Sequence, residues 1–207
     1  HDFFYSTRYN DFSRASILVT NSAAEHIELS EHYSARIASF PGHESYQNSN
    51  EYPKFNKNKD FDIGFTGRAF VPYMPDKARF LFKFITLDDP KLNIRIYNGY
   101  LSDNAFKLVM KKSKFIPLFW RYAGGIQTRA IDAIRYGAYV FSPEEVTAGE
   151  LLGGADSGFI GLDLENIDLK IKRELKNYES LLKIRSHSDH FKSLFWSDPG
   201  REQRFIK

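Results

Sequence analysis

The chain has 207 residues, enough for one large domain or for a domain and part of another. Its composition is 42% apolar and 16% aromatic, which supports a sizeable core, and its formal charge of +3 excludes a polybasic nucleic-acid arm. It contains no cysteine, which excludes disulfide scaffolds and thiolate metal sites.

No apolar run approaches the length of a membrane-spanning helix. No signal-peptide pattern opens the chain, and a cytoplasmic protein is expected. The sequence starts at His1 in the aromatic-rich "HDFFYSTRY", which reads as a piece of a longer chain whose upstream residues are missing.

"SILVT" at 16–20 reads as a buried strand between polar neighbours. Asn21 and Ser22 offer N-cap chemistry for a helix over "AAEHIELSEHY", and "ARIASF" then reads as a second strand, stopped by Pro41 and Gly42. The polar stretch from Glu44 to Asp60 has the composition of a linker. The expected division is therefore 1–43, a linker at 44–60, a main domain at 61–186 and a terminal helix at 187–207.

After the linker the pattern alternates. "FDIGFTG" is a strand ending at Gly67, and Pro75 and Asp76 start the helix "PDKARFLFKFITL". "LNIRIYNG" is a strand ending at Gly99, and Ser102 or Asp103 caps the helix "SDNAFKLVMKKS". "FIPLFW" is a strand, "TRAIDAIRY" a helix with Thr128 as cap, and "GAYVFSP" a strand. "EEVTAGELLG" is a short helix and "SGFIGLD" a short strand. "IDLKIKRELKNYESLLKIR" is expected as one long amphipathic helix, with "HFKSLFW" continuing beyond it. Strands alternating with helices predict an α/β fold, a Rossmann-like parallel sheet flanked by helices, with right-handed crossovers. Ligands of such sheets bind outside the carboxyl ends of the strands, where Gly67, Gly99, Gly124 and Gly125 fall.

The segment "GGIQTRAIDAIRYGAYVFSP" concentrates the candidate chemistry. Ala130, Ala133, Ile134 and Gly137 share a face suited to packing on the sheet, and Arg129 and Asp132 lie on another. Gly124 and Gly125 allow close backbone approach before a helix N-terminus, a setting that attracts anions. The plain alternative is an i,i+3 ion pair between Arg129 and Asp132 on a solvated face, with turn glycines and no ligand.

This stretch resembles the nucleotide-sugar-binding motif in the C-terminal domain of GT-B glycosyltransferases, in its divergent group-one form. Gly124 stands where the family's first Glu falls, Gly125 and Ile126 follow the pattern, Asp132 replaces the second Glu, and Ala133 and Gly137 match. "DFDIGFTGR" is similar to the strand that opens that domain, with Gly67 and Arg68 in the place of a family Gly-Arg, and Lys77 lies near a family Lys. "IRIYNGY" resembles the base-receiving strand and loop, so Gly99 and Tyr100 would flank the base; Tyr100 is otherwise a core or rim aromatic. "SPEEVTAGELLGGADSGFIGLD" resembles the closing segment, with Glu150 before two leucines, and residues 16–42 resemble the end of the N-terminal, acceptor domain.

The resemblance implies sugar transfer from a nucleotide-diphosphate donor to an unidentified acceptor. It implies a donor site of Gly67, Arg68, Lys77, Gly99, Tyr100, Gly124, Gly125, Ile126, Gln127, Thr128, Arg129 and Asp132. In that reading the cations neutralise the diphosphate and Asp132 holds the ribose. It names no catalytic residue in this chain, no cofactor beyond the donor substrate, no metal, no nucleic-acid partner and no membrane span, and it places an acceptor domain upstream. Gly124 in place of the first Glu favours the alternative of a non-catalytic nucleotide-sugar-binding or interaction module. The lack of a G-x-G-x-x-G after the first strand argues against a dinucleotide oxidoreductase. His187 and His190 lie three apart without a convincing third ligand, which argues against zinc.

Overall fold

A computed structural model describes residues 17–20, 29–31, 36–39, 56–70, 72, 74–87, 89–119, 127–149 and 154–187. Outside these lie Trp120, Gly124, Gly125, Ile126, Glu150, most of the helix expected after Ser22, most of the linker and the terminal helix.

Two short strands, β1 (Ile17–Thr20) and β2 (Arg36–Ser39), pair in parallel from Ile17–Arg36 to Thr20–Ser39. The remaining elements are β3 (Phe61–Gly67), α1 (Pro75–Ile85), β4 (Ile94–Asn98), α2 (Asp103–Lys112), β5 (Ser113–Pro117), α3 (Thr128–Arg135) and β6 (Tyr139–Pro143). They continue as α4 (Glu144–Gly149), β7 (Phe159–Leu162), α5 (Ile167–Lys176) and α6 (Tyr178–His187). The five strands from β3 to β7 form one parallel sheet in the order β4-β3-β5-β6-β7.

That order is doubly wound. The chain steps outward from β3 to β4, then returns across β3 to β5 and continues in one direction. Right-handed crossovers send helices to opposite faces when the direction reverses. The cores show this. Phe80 and Phe84 of α1, Ile171 of α5 and Tyr178 of α6 pack with Ile63, Phe115 and Phe141 on one face. Met110 of α2, Ile131 and Ile134 of α3 and Val146 of α4 pack with Ile116 and Val140 on the other. Phe115 and Phe141 stack with ring centroids 4.5 Å apart.

Local chemistry sets several boundaries. Pro75 sits in the first turn of α1, where its missing N–H costs no helix bond. The Ser102 hydroxyl, rather than Asp103, accepts from the Ala105 amide at 3.4 Å and starts α2. Gln127, not Thr128, holds the N-cap position of α3, with an extended backbone. The expected long helix over Ile167–Arg185 instead breaks at Asn177, whose amide donates to the Arg173 and Glu174 carbonyls. No Gly or Pro marks that break. It lets Tyr178 and Arg185 turn under the sheet, where both reach the α3–β6 turn.

A half-buried lysine and two buried tyrosines give stability opposite pH slopes. Burial, with the charge of Arg185 adding to it, pushes the Lys59 ammonium down to about 8 from its ordinary 10.5. Between those values the unfolded chain binds more protons, so stability rises with pH. Burial pushes the Tyr178 hydroxyl up to about 12 and raises Tyr139 as well, and both donate to main-chain carbonyls. Above about pH 10 the unfolded chain loses these protons while the fold keeps them, so stability falls as pH rises through the folded values. Thermal unfolding followed from neutral pH upward is expected to show a midpoint that climbs above pH 8 and declines above about pH 10. Lys59→Met should flatten the climb, and Tyr178→Phe should soften the decline.

Candidate functional site

All five strands of the main sheet are parallel, so their carboxyl ends share one edge. The direction of winding reverses between β3 and β5. There α1 leaves toward one face and α3 leaves toward the other, opening a crevice at the strand ends.

Gly67 ends β3 with φ +112 and donates its place beside the strand end to an arginine. A Cβ built on it would overlap Arg129 Nη1 and lie 3.0 Å from Cζ. Arg129 comes from the first turn of α3, and its Nη1 donates to the Thr66 carbonyl at 3.0 Å. The i,i+3 spacing to Asp132 is thus not what directs this guanidinium; it crosses to the neighbouring strand end. Gln127 Nε2 donates to the Phe119 carbonyl at 3.3 Å, which ties the start of α3 to the residues following β5. Asp132 stands one turn into α3, partly buried.

Lys77 lies in the first turn of α1, on the far side of the crevice. Burial, and then the charge of Arg129, lowers its pKa below the ordinary lysine range. Two cations therefore stand close enough to oppose one another at the switch point, and an anion between them would relieve that repulsion. Anion binding raises a lysine's pKa, so affinity should weaken as pH rises through the value in the free protein.

A second group lies at the β4 side. Gly99, with φ +132, donates its amide to the Gly67 carbonyl at 3.1 Å and bridges the two strand ends. The Asn98 side chain accepts from the Ala69 amide at 3.0 Å and holds the loop after β3. Arg68 is exposed and its guanidinium carbon sits 5.2 Å above the centre of the Tyr100 ring. Tyr100 itself is 80% exposed, so it is no core residue but an aromatic that stands in solvent with Arg68 over its ring.

Seven of the twelve sequence-derived site residues thus gather at this edge: Gly67, Arg68, Lys77, Gly99, Tyr100, Gln127 and Arg129. Asp132 and Thr128 follow on α3, and Gly124, Gly125 and Ile126 lie outside the described residues. Sequence reasoning missed Thr66 and Asn98. Asn98 had a signal, the Asn-Gly pair that ends β4; Thr66 had none. Among the described residues no cluster of His, Asp and Glu is arranged to hold a metal ion, and no helix is long and apolar enough to cross a membrane.

No protein-family model matches the sequence, and no curated protein matches it. Solved structures do. An alpha-glucosyltransferase in complex with UDP-glucose and DNA containing an abasic site matches with TM-score 0.59 and 14% identity over 93% of this chain and 65% of its own. Anabaena Alr3699/HepE in complex with UDP-glucose matches with TM-score 0.60 and 13% identity over 95% of this chain and 64% of its own. S. aureus TarM, solved with UDP among its ligands, matches with TM-score 0.58 and 11% identity over 92% of this chain and 42% of its own.

The chain shares the backbone fold of these glycosyltransferase structures.

It spans about 65% of the length of the alpha-glucosyltransferase. At these identities the likeness is one of backbone architecture, and the chemistry of the site rests on this chain's own residues.

Proposed function

We propose that this chain is the donor-binding part of a glycosyltransferase that uses a nucleotide-diphosphate sugar. The observation that carries the reading is the placement of Arg129 and Lys77 on opposite sides of the switch-point crevice of a GT-B fold. The diphosphate leaves with the electron pair of the broken sugar–oxygen bond, and preorganised cations stabilise that charge. Arg129, pinned to the Thr66 carbonyl, is already oriented before the donor arrives. Arg68 and Tyr100 form a stacked pair at the mouth that suits the flat face of a nucleobase. Asp132 accepts hydrogen bonds from the ribose hydroxyls. Residues 61–186 are the donor-binding unit in this proposal, and 1–43 the end of an acceptor domain.

Calorimetric titration with UDP, GDP, ADP and CMP tests it. One nucleotide is expected to bind at micromolar affinity, and both Asp132→Ala and Arg68→Ala are expected to weaken it. Binding without any sugar transfer by the longer protein would favour the non-catalytic module, the reading that Gly124 supports. A folded protein silent to all four nucleotides would overturn the donor-site assignment.

A further inference from the structure

Thr66 is the residue at the switch point whose chemistry is least accounted for. It is 3% exposed, and its hydroxyl oxygen is fully buried with no hydrogen-bond partner. A buried hydroxyl without a partner is costly relative to a paired one, so folded proteins keep few of them. Strand alternation places Thr66 with Gly64, opposite the core face of Ile63 and Phe65. A Cβ on Gly64 would lie 3.2 Å from Val109 of α2, so this face of β3 is the one that carries α2 and α3. The Thr66 carbonyl is the group that accepts from Arg129. The unsatisfied hydroxyl and the anchored guanidinium therefore belong to the same strand end, one residue before Gly67.

We propose that the Thr66 hydroxyl donates a hydrogen bond to the diphosphate of the nucleotide drawn to Arg129 and Lys77, and so positions the donor at the end of β3. This rests on the donor-site reading above. The chemistry suits an anion. A hydroxyl donates one proton and turns about a single bond to do so. Arg129, bound to the carbonyl of the same residue, draws phosphate oxygens to this strand end without competing for the donated proton. The free protein carries the cost of the unpaired group, and the bound state removes it. Binding a diphosphate is thus favoured over binding a neutral nucleoside by a contact that only the phosphate makes.

Thr66→Val tests this, because valine keeps the shape and deletes the hydroxyl. Unfolding midpoints and calorimetric affinities would be measured for wild type, Thr66→Val and Thr66→Ser, with UDP, GDP, ADP and inorganic pyrophosphate as probes. The expected result has two parts. Thr66→Val is as stable as wild type or more so, since no partner is lost. Its affinity for the nucleoside diphosphate that wild type binds falls roughly tenfold, and Thr66→Ser restores most of it. Unchanged diphosphate affinity in a folded Thr66→Val overturns the proposal. A lowered midpoint in Thr66→Val that Thr66→Ser repairs also overturns it, because the hydroxyl would then be serving the free fold. If wild type binds none of the probes, the donor-site reading itself falls and this inference falls with it.

Discussion

Replacing Arg185 with methionine is expected to lower the free energy of unfolding by about 3 kcal/mol, the loss of two hydrogen bonds from a charged donor less the relief of its buried charge. The side chain is 0% exposed. Its Nη1 donates to the Ala138 carbonyl at 2.6 Å, its Nη2 donates to the Gly137 carbonyl at 2.9 Å, and its Cζ lies 4.1 Å from the centre of the Tyr139 ring. These contacts fasten α6 to the turn that joins α3 to β6. Gly137 makes that turn with φ +84, and its amide returns to the Ile134 carbonyl. Methionine keeps the apolar stem and removes both donors. The Tyr178 hydroxyl still reaches the Gly137 carbonyl, so Ala138 bears most of the loss. Relief of the buried charge offsets part of the cost. Against a typical total of about 5–15 kcal/mol this is a large fraction. Urea unfolding should show an earlier midpoint with an unchanged slope. Arg185→Lys should fall between, because one ammonium does not reproduce the fork that spans two carbonyls. A midpoint unmoved by Arg185→Met would mean that shedding the buried charge cancels the lost bonds.

The second large effect is expected at Gly67. Alanine there meets two obstacles. At φ +112 an L side chain is strained by roughly 1–2 kcal/mol, and its Cβ would occupy the space of the Arg129 guanidinium. The arginine must leave the Thr66 carbonyl, and the crevice loses its oriented cation. In the donor-site reading, Gly67→Ala and Arg129→Ala should each weaken nucleoside-diphosphate binding by roughly 10- to 100-fold, the worth of a charge-assisted hydrogen bond. Both act through the same guanidinium, so the double variant should bind little worse than either single one. Calorimetry on the four proteins completes the cycle. Additive losses would separate the glycine from the arginine and assign Gly67 a role of its own.

Both predictions fall on residues that the sequence presented unequally. Gly67 stood out, because a glycine closing an apolar strand beside an arginine matches a family position. Arg185 did not, because in an amphipathic pattern it reads as one more solvated cation at the end of a helix. Its burial depends on the break at Asn177, and that break depends on what Tyr178 and Arg185 find beneath the sheet. Arg129 shows the same limit. Its spacing fits a local pair with Asp132 as well as a reach to β3, and periodicity does not choose between them.

The sequence by itself determined the elements and their kind from β3 to β7, but not the break at Asn177 that divides the helix expected over 167–185. The 3.6-residue periodicity of α1, α2 and α3, the apolar runs of β3, β5 and β6, and the glycines closing β3 and β4 are properties of neighbouring residues. Strict alternation of these elements was enough for a parallel sheet with its chemistry at one edge. Only the tertiary structure decided the strand order, the exposed place of β4 at the sheet edge, the crossing of Arg129 to Thr66, and the burial of Arg185 and the Thr66 hydroxyl. The physical reason is range. Propensity, capping and periodicity act between residues a few positions apart. Pairing order and the burial of a polar group are set by which distant surfaces meet, and in this chain those contacts join residues that lie 63 and 48 positions apart.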